Sequence, residues 1–417
     1  MTPQVPATRM ELATTLPPTT ALRDVPAVVA RIERLGFDTV HVPETTHDSL
    51  SVALLAAEHT SRITVRTSMT LAFPRSPMVT AYAAWDLARF SEGRFQLGLA
   101  TQVRGNIVGR FSVPWDRPAV HLRDYLASIR AIFAAFATGA PLDHEGSHYR
   151  FTRLQPYFNP GPLSTAAPAL YTGGVNRRVC EVAGELADGF VTHATNSHPS
   201  HLRAVVLPGL RAGAERAGRA GIPRVVVVSK SITGPTQAAV AASRAAARQE
   251  LAFLFSTPAY RTTLDRLGLG ETGERLAGMA ASGRWTGLAD TLDDETLATL
   301  IPHGTYAELP DVLERAYGGL ADGLGLGLPL DPDDDEDFGA LLERLRRIPT
   351  STAAGNPAAT DGPPAASKPP AAGDPSPADN PPATGSPAAA GNPPATGGPT
   401  DETTSAARGD AGSETMS

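Results

Sequence analysis

Eight times along this chain a short β-like run gives way to an amphipathic helical stretch, a rhythm that points to a parallel sheet covered by helices. The runs expected as strands are residues 10–16, 38–42, 63–71, 94–99, 169–172, 189–193, 224–231 and 323–328. Helices are expected at 22–35, 50–59, 77–90, 117–136, 177–186, 201–217, 237–255, 307–317 and 337–347. In the first, Leu22, Val25, Val29, Ile32 and Leu35 recur near helical spacing and Gly36 ends it. Pro77 opens another helix where a first turn tolerates proline. An open doubly wound sheet would alternate in the same way. Eight βα units, with no GxGxxG after the first strand, favour closure into an α/β (β/α)8 TIM barrel.

Two excursions interrupt the rhythm. Residues 141–162, rich in Pro, Gly and aromatics, read as an inserted hairpin, and 258–300 read as a helical cap inserted into the barrel. The expected organisation is a flexible extension over 1–9, a barrel over 10–348 and a tail over 349–417. From about Pro349 aromatics and branched aliphatics vanish, so burial cannot offset chain entropy and the tail is expected to be disordered. Its removal after Pro349 is expected to leave folding intact.

Composition narrows the function. A net charge of −7 argues against a nucleic-acid partner. The single Cys180 excludes an internal disulfide framework and a multi-cysteine metal site. No run approaches the ~18 apolar residues of a membrane span, and no basic-then-apolar leader stands at the start. The cytoplasm is therefore the default location. The expected partners are a small-molecule substrate and, at most, a second copy of the chain. His144-Glu145-Gly146-Ser147-His148 spells HExxH, but Pro141, Gly146 and the strand-like Tyr149-Arg150-Phe151 make it a hairpin, so no metal is expected. Gly323, Gly325 and Gly327 run into Leu328-Pro329 instead of a helix, and read as a strand with room for close backbone approach.

Barrel sites lie at the C-terminal ends of the strands. Here those ends carry small and hydroxyl residues, with no nucleophile–base pair and no carboxylate cluster, which suits a bulky cofactor that brings its own chemistry. Tyr171-Thr172-Gly173-Gly174-Val175-Asn176 leaves a strand and enters a helix, so its backbone can approach an anion at the helix N-terminus. A carboxylate at Gly174 is expected to weaken cofactor binding far more than stability.

Several motifs resemble the luciferase-like monooxygenase superfamily. They are Leu35-Gly36-Phe37-Asp38-Thr39-Val40, Phe73-Pro74-Arg75-Ser76-Pro77, Ser91-Glu92-Gly93-Arg94-Phe95-Gln96-Leu97-Gly98-Leu99, Glu145-Gly146-Ser147-His148-Tyr149-Arg150-Phe151 and Ala187-Asp188-Gly189-Phe190. Their order and spacing extend the resemblance over about residues 10–328. The Ala72–Pro77 stretch and the Trp285-containing cap are similar to a branch using the deazaflavin coenzyme F420. That resemblance implies a cis peptide at Ser68–Met69 behind the cofactor ring and backbone from Gly98, Ala100 and Thr101 at the ring edge. It further implies a phosphate held by Thr172, Gly173, Gly174, Val175 and Asn176, with His193 where a family hydroxyl meets the ring. Two positions depart from the pattern: Ala100 replaces a glycine, and Glu44-Thr45 stands where sugar-phosphate dehydrogenases of the family have Asp-His. Their reaction is therefore not carried over. The implied activity is hydride transfer between reduced F420 and a small organic substrate, with Glu44, His41, His47 and His193 as candidate proton donors. An FMN-dependent monooxygenase served by a separate reductase is the alternative, and a non-catalytic binding barrel the third reading.

Overall fold

Backbone pairing closes the sheet in the computed structural model, which describes residues 9–352. The strands are β1 (Glu11–Thr15), β2 (Thr39–Val42), β3 (Thr64–Thr67, resumed at Thr70–Leu71) and β4 (Phe95–Ala100). They continue with β5 (Leu170–Thr172), β6 (Gly189–Val191), β7 (Arg224–Val228) and β8 (Gly323–Leu326). All pair in parallel. β1 lies between β2 and β8, with Ala13 opposite Thr39 and Glu11 opposite Gly323, and Val65 opposite Phe95 joins β3 to β4 to complete the ring. The (β/α)8 barrel expected from the alternation is the fold observed.

Helices α1 (Val25–Leu35), α2 (Ser49–Glu58), α3 (Pro77–Phe90), α4 (Pro118–Thr138), α5 (Arg177–Leu186) and α6 (Leu207–Arg216) surround it, followed by α7 (Gln237–Phe255), α8 (Leu309–Tyr317) and α9 (Asp335–Leu345). Local chemistry sets their ends. Gly36 closes α1 at φ 94°, Ser76 accepts from the Met78 N–H ahead of Pro77, and Asn176 accepts from the Val179 N–H. Outward strand residues such as Leu12, Val40, Val65, Leu97, Phe190 and Leu324 meet Ile32, Trp85, Ile129 and Leu341 of the helices in one continuous core.

Three features differ from the sequence reading. The third strand is broken between Thr67 and Thr70 instead of running through 63–71. A short helix, Arg104–Gly109, follows β4. The insertion is also larger than 258–300. Two three-residue strands, Ile232–Gly234 and His303–Thr305, pair in parallel and bracket it, and α7 lies between them. The buried residues Val240, Leu251, Ala252 and Phe255 of α7 pack with Leu264, Leu276, Leu297 and Leu300 in a second apolar cluster. α8 fills the barrel position instead, through Leu309, Leu313 and Tyr317. The hairpin is as expected, His144–Glu145 against Arg150–Phe151, so the two histidines of HExxH do not share a helix.

Most of the 1–9 extension and of the 349–417 tail lies outside the described residues. The part that is described corrects the boundary. Thr350 and Ser351 are buried, Ser351 Oγ donates to Asp322 Oδ1 at 2.6 Å, and Thr352 donates to the same oxygen through Oγ1 at 2.9 Å. Asp322, itself buried ahead of β8, takes the Val225 N–H on its other oxygen at 2.9 Å. A chain ended at Pro349 leaves Oδ1 unpartnered, a loss on the order of 3 kcal/mol for a buried charged acceptor. It is expected to melt several degrees below a chain ended at Thr352, and equal melting temperatures would show that these contacts carry no stability.

Candidate functional site

Successive side chains of a strand point to opposite faces, so inward residues can be followed up each strand in steps of two. The lower level of the interior is charged. Arg66 reaches Glu11 at 2.8 Å, donates from Nε to Gln96 Oε1 at 2.7 Å and lies 3.8 Å over the Tyr171 ring. Arg224 approaches the other Glu11 oxygen at 3.3 Å, and Thr39 Oγ1 donates to Glu11 at 2.8 Å. Burial alone would raise the Glu11 pKa; the two guanidiniums and the Thr39 hydroxyl outweigh it and hold the group at about 2. His41 belongs to this layer. Its Nε2 accepts from Arg66 Nη1 at 3.1 Å, and burial together with the Arg66 charge pushes its pKa down to about 3. A fully buried neutral ring beneath the mouth is not placed to protonate a substrate, which corrects the expectation for His41.

Above this layer the inward positions turn small: Ala13 after Glu11, Gly98 and Ala100 after Gln96, Gly173 after Tyr171, Gly325 and Gly327 after Gly323. Bulky branched side chains usually fill a barrel at this height. The Ser68–Met69 peptide is cis, as the resemblance implied. The Met69 thioether lies across two of the glycines. A Cβ on Gly98 would stand 2.7 Å from Met69 Sδ, and one on Gly173 3.2 Å from Met69 Cε. Met69 packs with Tyr171, Val191 and Val226, which makes an apolar floor over the charged layer. No heavy atom lies within 4 Å of a Cβ built on Gly327, so the mouth is open on the β8 side.

At the β5 exit the expected anion-binding turn is partly committed to structure. Thr172 Oγ1 donates to Leu99 O at 2.7 Å, and the Asn176 side chain caps α5 through the Val179 N–H at 3.0 Å. Asn196 Nδ2 donates to Gly174 O at 2.8 Å and fixes the turn. The N–H groups of Arg177 and Arg178 have no acceptor among the described residues, as first-turn donors of a helix commonly do. A Cβ on Gly174 would stand 2.5 Å from Val179 Cγ1. Substitution there disturbs the turn itself, so the expected separation of cofactor affinity from stability does not hold at this residue.

The remaining candidate proton donors occupy different places. Both Glu44 oxygens are taken: Oε2 accepts from the Leu71 N–H at 2.7 Å and Arg75 Nη1 at 3.0 Å, and Oε1 from Arg75 Nη2 at 2.5 Å. His47 is half-buried beside Pro18, Thr45 and Val52, between the exits of β1 and β2. His193 stands two residues past Val191, on the floor's side of β6. Its Nδ1 lies 2.8 Å from the Thr195 hydroxyl and accepts from the Thr195 N–H at 3.3 Å, which leaves the proton on Nε2. Burial, helped by the Lys230 charge, lowers its pKa to about 4, so the ring is neutral at pH 7. Tyr260 of the insertion stacks on it with centroids 4.7 Å apart. Sequence reasoning missed Arg75 and Tyr260 as site residues. The Phe73–Pro77 motif contained the first, and no signal marked the second.

Closed parallel barrel, broken third strand and small-residue mouth together describe a (β/α)8 barrel with its candidate site at the strand ends. The chain belongs to the luciferase-like monooxygenase family, whose sequence profile matches residues 6–323. An uncharacterized protein of Mycobacterium tuberculosis is 37% identical over 317 residues, 76% of this chain and 92% of the relative. The F420-dependent glucose-6-phosphate dehydrogenase of Nakamurella multipartita is 31% identical over 199 residues, 45% of this chain and 56% of the relative. Among solved structures, the coenzyme F420 dependent tetrahydromethanopterin reductase from Methanopyrus kandleri superposes with a TM-score of 0.66 at 19% identity, covering 80% of this chain and 97% of that one. No helix of the described residues is long and apolar enough to cross a membrane.

Proposed function

We propose that this protein is an oxidoreductase that holds coenzyme F420 in the barrel mouth and passes hydride between it and a small organic substrate. The observation that carries the reading is the open barrel mouth above the Met69 floor: a Cβ at Gly327 would meet open space there, while Gly98 and Gly173 leave room only for the Met69 thioether and its neighbouring backbone. Relatives named for F420 dependence favour the deazaflavin over FMN. When bound, F420 supplies a two-electron hydride carrier.

The chain's own residues supply the rest. Met69, Val191 and Tyr171 back one face of the mouth, and the backbone of Gly98, Ala100 and Thr101 borders it. The Gly173–Asn176 turn and the free first-turn N–H groups of α5 suit a phosphate, with exposed Arg177 and Arg178 adding positive charge. His193 presents Nε2–H to the mouth and holds a proton at that atom, while stacked Tyr260 steadies the ring and excludes water from it. Incubation with F420 or FMN, followed by gel filtration and an absorption spectrum, tests the assignment. Retention of F420 alone is expected. Retention of FMN alone would replace this reading with the monooxygenase one, and retention of neither would leave a binding barrel.

A further inference from the structure

We infer that Glu44 is a positioning residue, which fixes the Met69 floor by clasping the chain just beyond the break in β3. β2 ends at Val42, whose carbonyl accepts the Ser68 N–H at 2.7 Å. A further strand residue would offer a carbonyl to the next donor on that side, the Leu71 N–H. None exists, and a buried N–H without an acceptor is costly. The Glu44 carboxylate takes the place of the missing carbonyl at 2.7 Å.

Arg75 completes the clasp. It donates to both Glu44 oxygens and, through Nη1, to Leu71 O at 3.2 Å, so the peptide groups on either side of Leu71 are gripped by one ion pair. Thr70 is tied to the same loop, its Oγ1 2.8 Å from Ser49 Oγ. On the near side of the break Thr67 is fixed to β4, donating to Gly98 O and accepting from the Gly98 N–H, each at 2.9 Å. Only Ser68 and Met69 lie between these anchors, and Met69 rests on glycines with no space to spare. Loss of the outer anchor frees Met69 to leave the floor. With both oxygens occupied by these donors, Glu44 is assigned to positioning in place of the proton donation expected from the sequence.

The inference rests on the proposed function only where cofactor affinity is read, so the primary readout is independent of any cofactor. Methionine oxidation by dilute peroxide, followed by peptide mass spectrometry, compares half-buried Met69 with fully buried Met10 in the same sample. Glu44→Ala is expected to raise the Met69 rate about fivefold through local opening, with Met10 unchanged. Glu44→Gln keeps an acceptor for the Leu71 N–H while losing the charge, and is expected to restore part of the protection. It also carries the comparison, with a rise of about twofold, should the alanine variant fail to fold. F420 retention is expected to fall in both variants. An unchanged Met69 rate, or Met69 and Met10 rising together, overturns the inference. Failure of the parent protein to retain F420 counts against the cofactor assignment, and the oxidation ratio still decides Glu44.

Discussion

Arg66→Met is expected to lower the free energy of unfolding by about 3–5 kcal/mol, the usual loss when one partner of a buried ion pair is removed. Arg66 is 1% exposed and binds Glu11, His41 and Gln96 while stacking on Tyr171. Without it, Glu11 keeps only the longer contact to Arg224 and the Thr39 hydroxyl. The pH dependence has a definite sign. Glu11 is held at about 2 against an ordinary 4.5, so its contribution is complete above pH 4.5 and is lost as pH falls towards 2. In the variant the Glu11 pKa rises, so its share of the acid destabilisation shrinks and the gap between variant and parent is smaller at pH 3.5 than at pH 7. Urea unfolding at pH 7 and at pH 3.5 measures both effects. A loss below about 1 kcal/mol at pH 7, near that of an exposed pair, would contradict this account of the barrel interior.

Gly98→Val is expected to cost at least 2–3 kcal/mol, by the scale of core overpacking, and to abolish retention of the cofactor. The obstacle is backbone: a Cβ there would stand 2.0 Å from Thr67 O, and Thr67 is already bonded to both the N–H and C=O of Gly98. Relief requires β3 and β4 to separate where Met69 is seated. Gly327→Ala is the control, because its Cβ meets open space and its stability is expected to change by no more than about 0.5 kcal/mol. Thermal melting and cofactor gel filtration of the two variants separate steric closure of the floor from a general intolerance of substitution at the mouth. A Gly98→Val protein as stable as the parent would mean that β3 and β4 are less closely apposed than described.

Elements governed by local chemistry were legible in the sequence. Helices 77–90, 177–186 and 237–255 begin and end where expected, because Ser76-Pro77, Asn176 and Thr236 cap them whatever lies beyond. Periodicity shows that a helix has a buried face, and is silent on what covers that face. So α7 was read as a barrel helix although its partners are Leu264 to Leu300. The strands that reveal the insertion are three residues each and pair across some seventy positions, too short and too distant for any local signal. The same division runs through the site. Strand ends gave Met69, Gly173 and His193, because the barrel puts such ends at the mouth, and the family resemblance added Gly98. The depth of His41 follows from its register opposite Arg66, and the task of Glu44 from β2 stopping short of Leu71; both are properties of paired strands.

The insertion has a consequence for how such a protein can change. Residues 232–305 bury an apolar cluster of their own and reach the β6 exit through Tyr260 on His193 and through Thr263 Oγ1 donating to Thr195 O at 2.5 Å. The barrel's cluster and its charged interior are built from other residues. Substitutions at Leu276 or Leu297 therefore alter the insertion's own opening equilibrium while Met69, Gly98 and Arg66 keep their surroundings. Inheritance can therefore vary the two sets of positions separately, each change being felt first by its own apolar cluster.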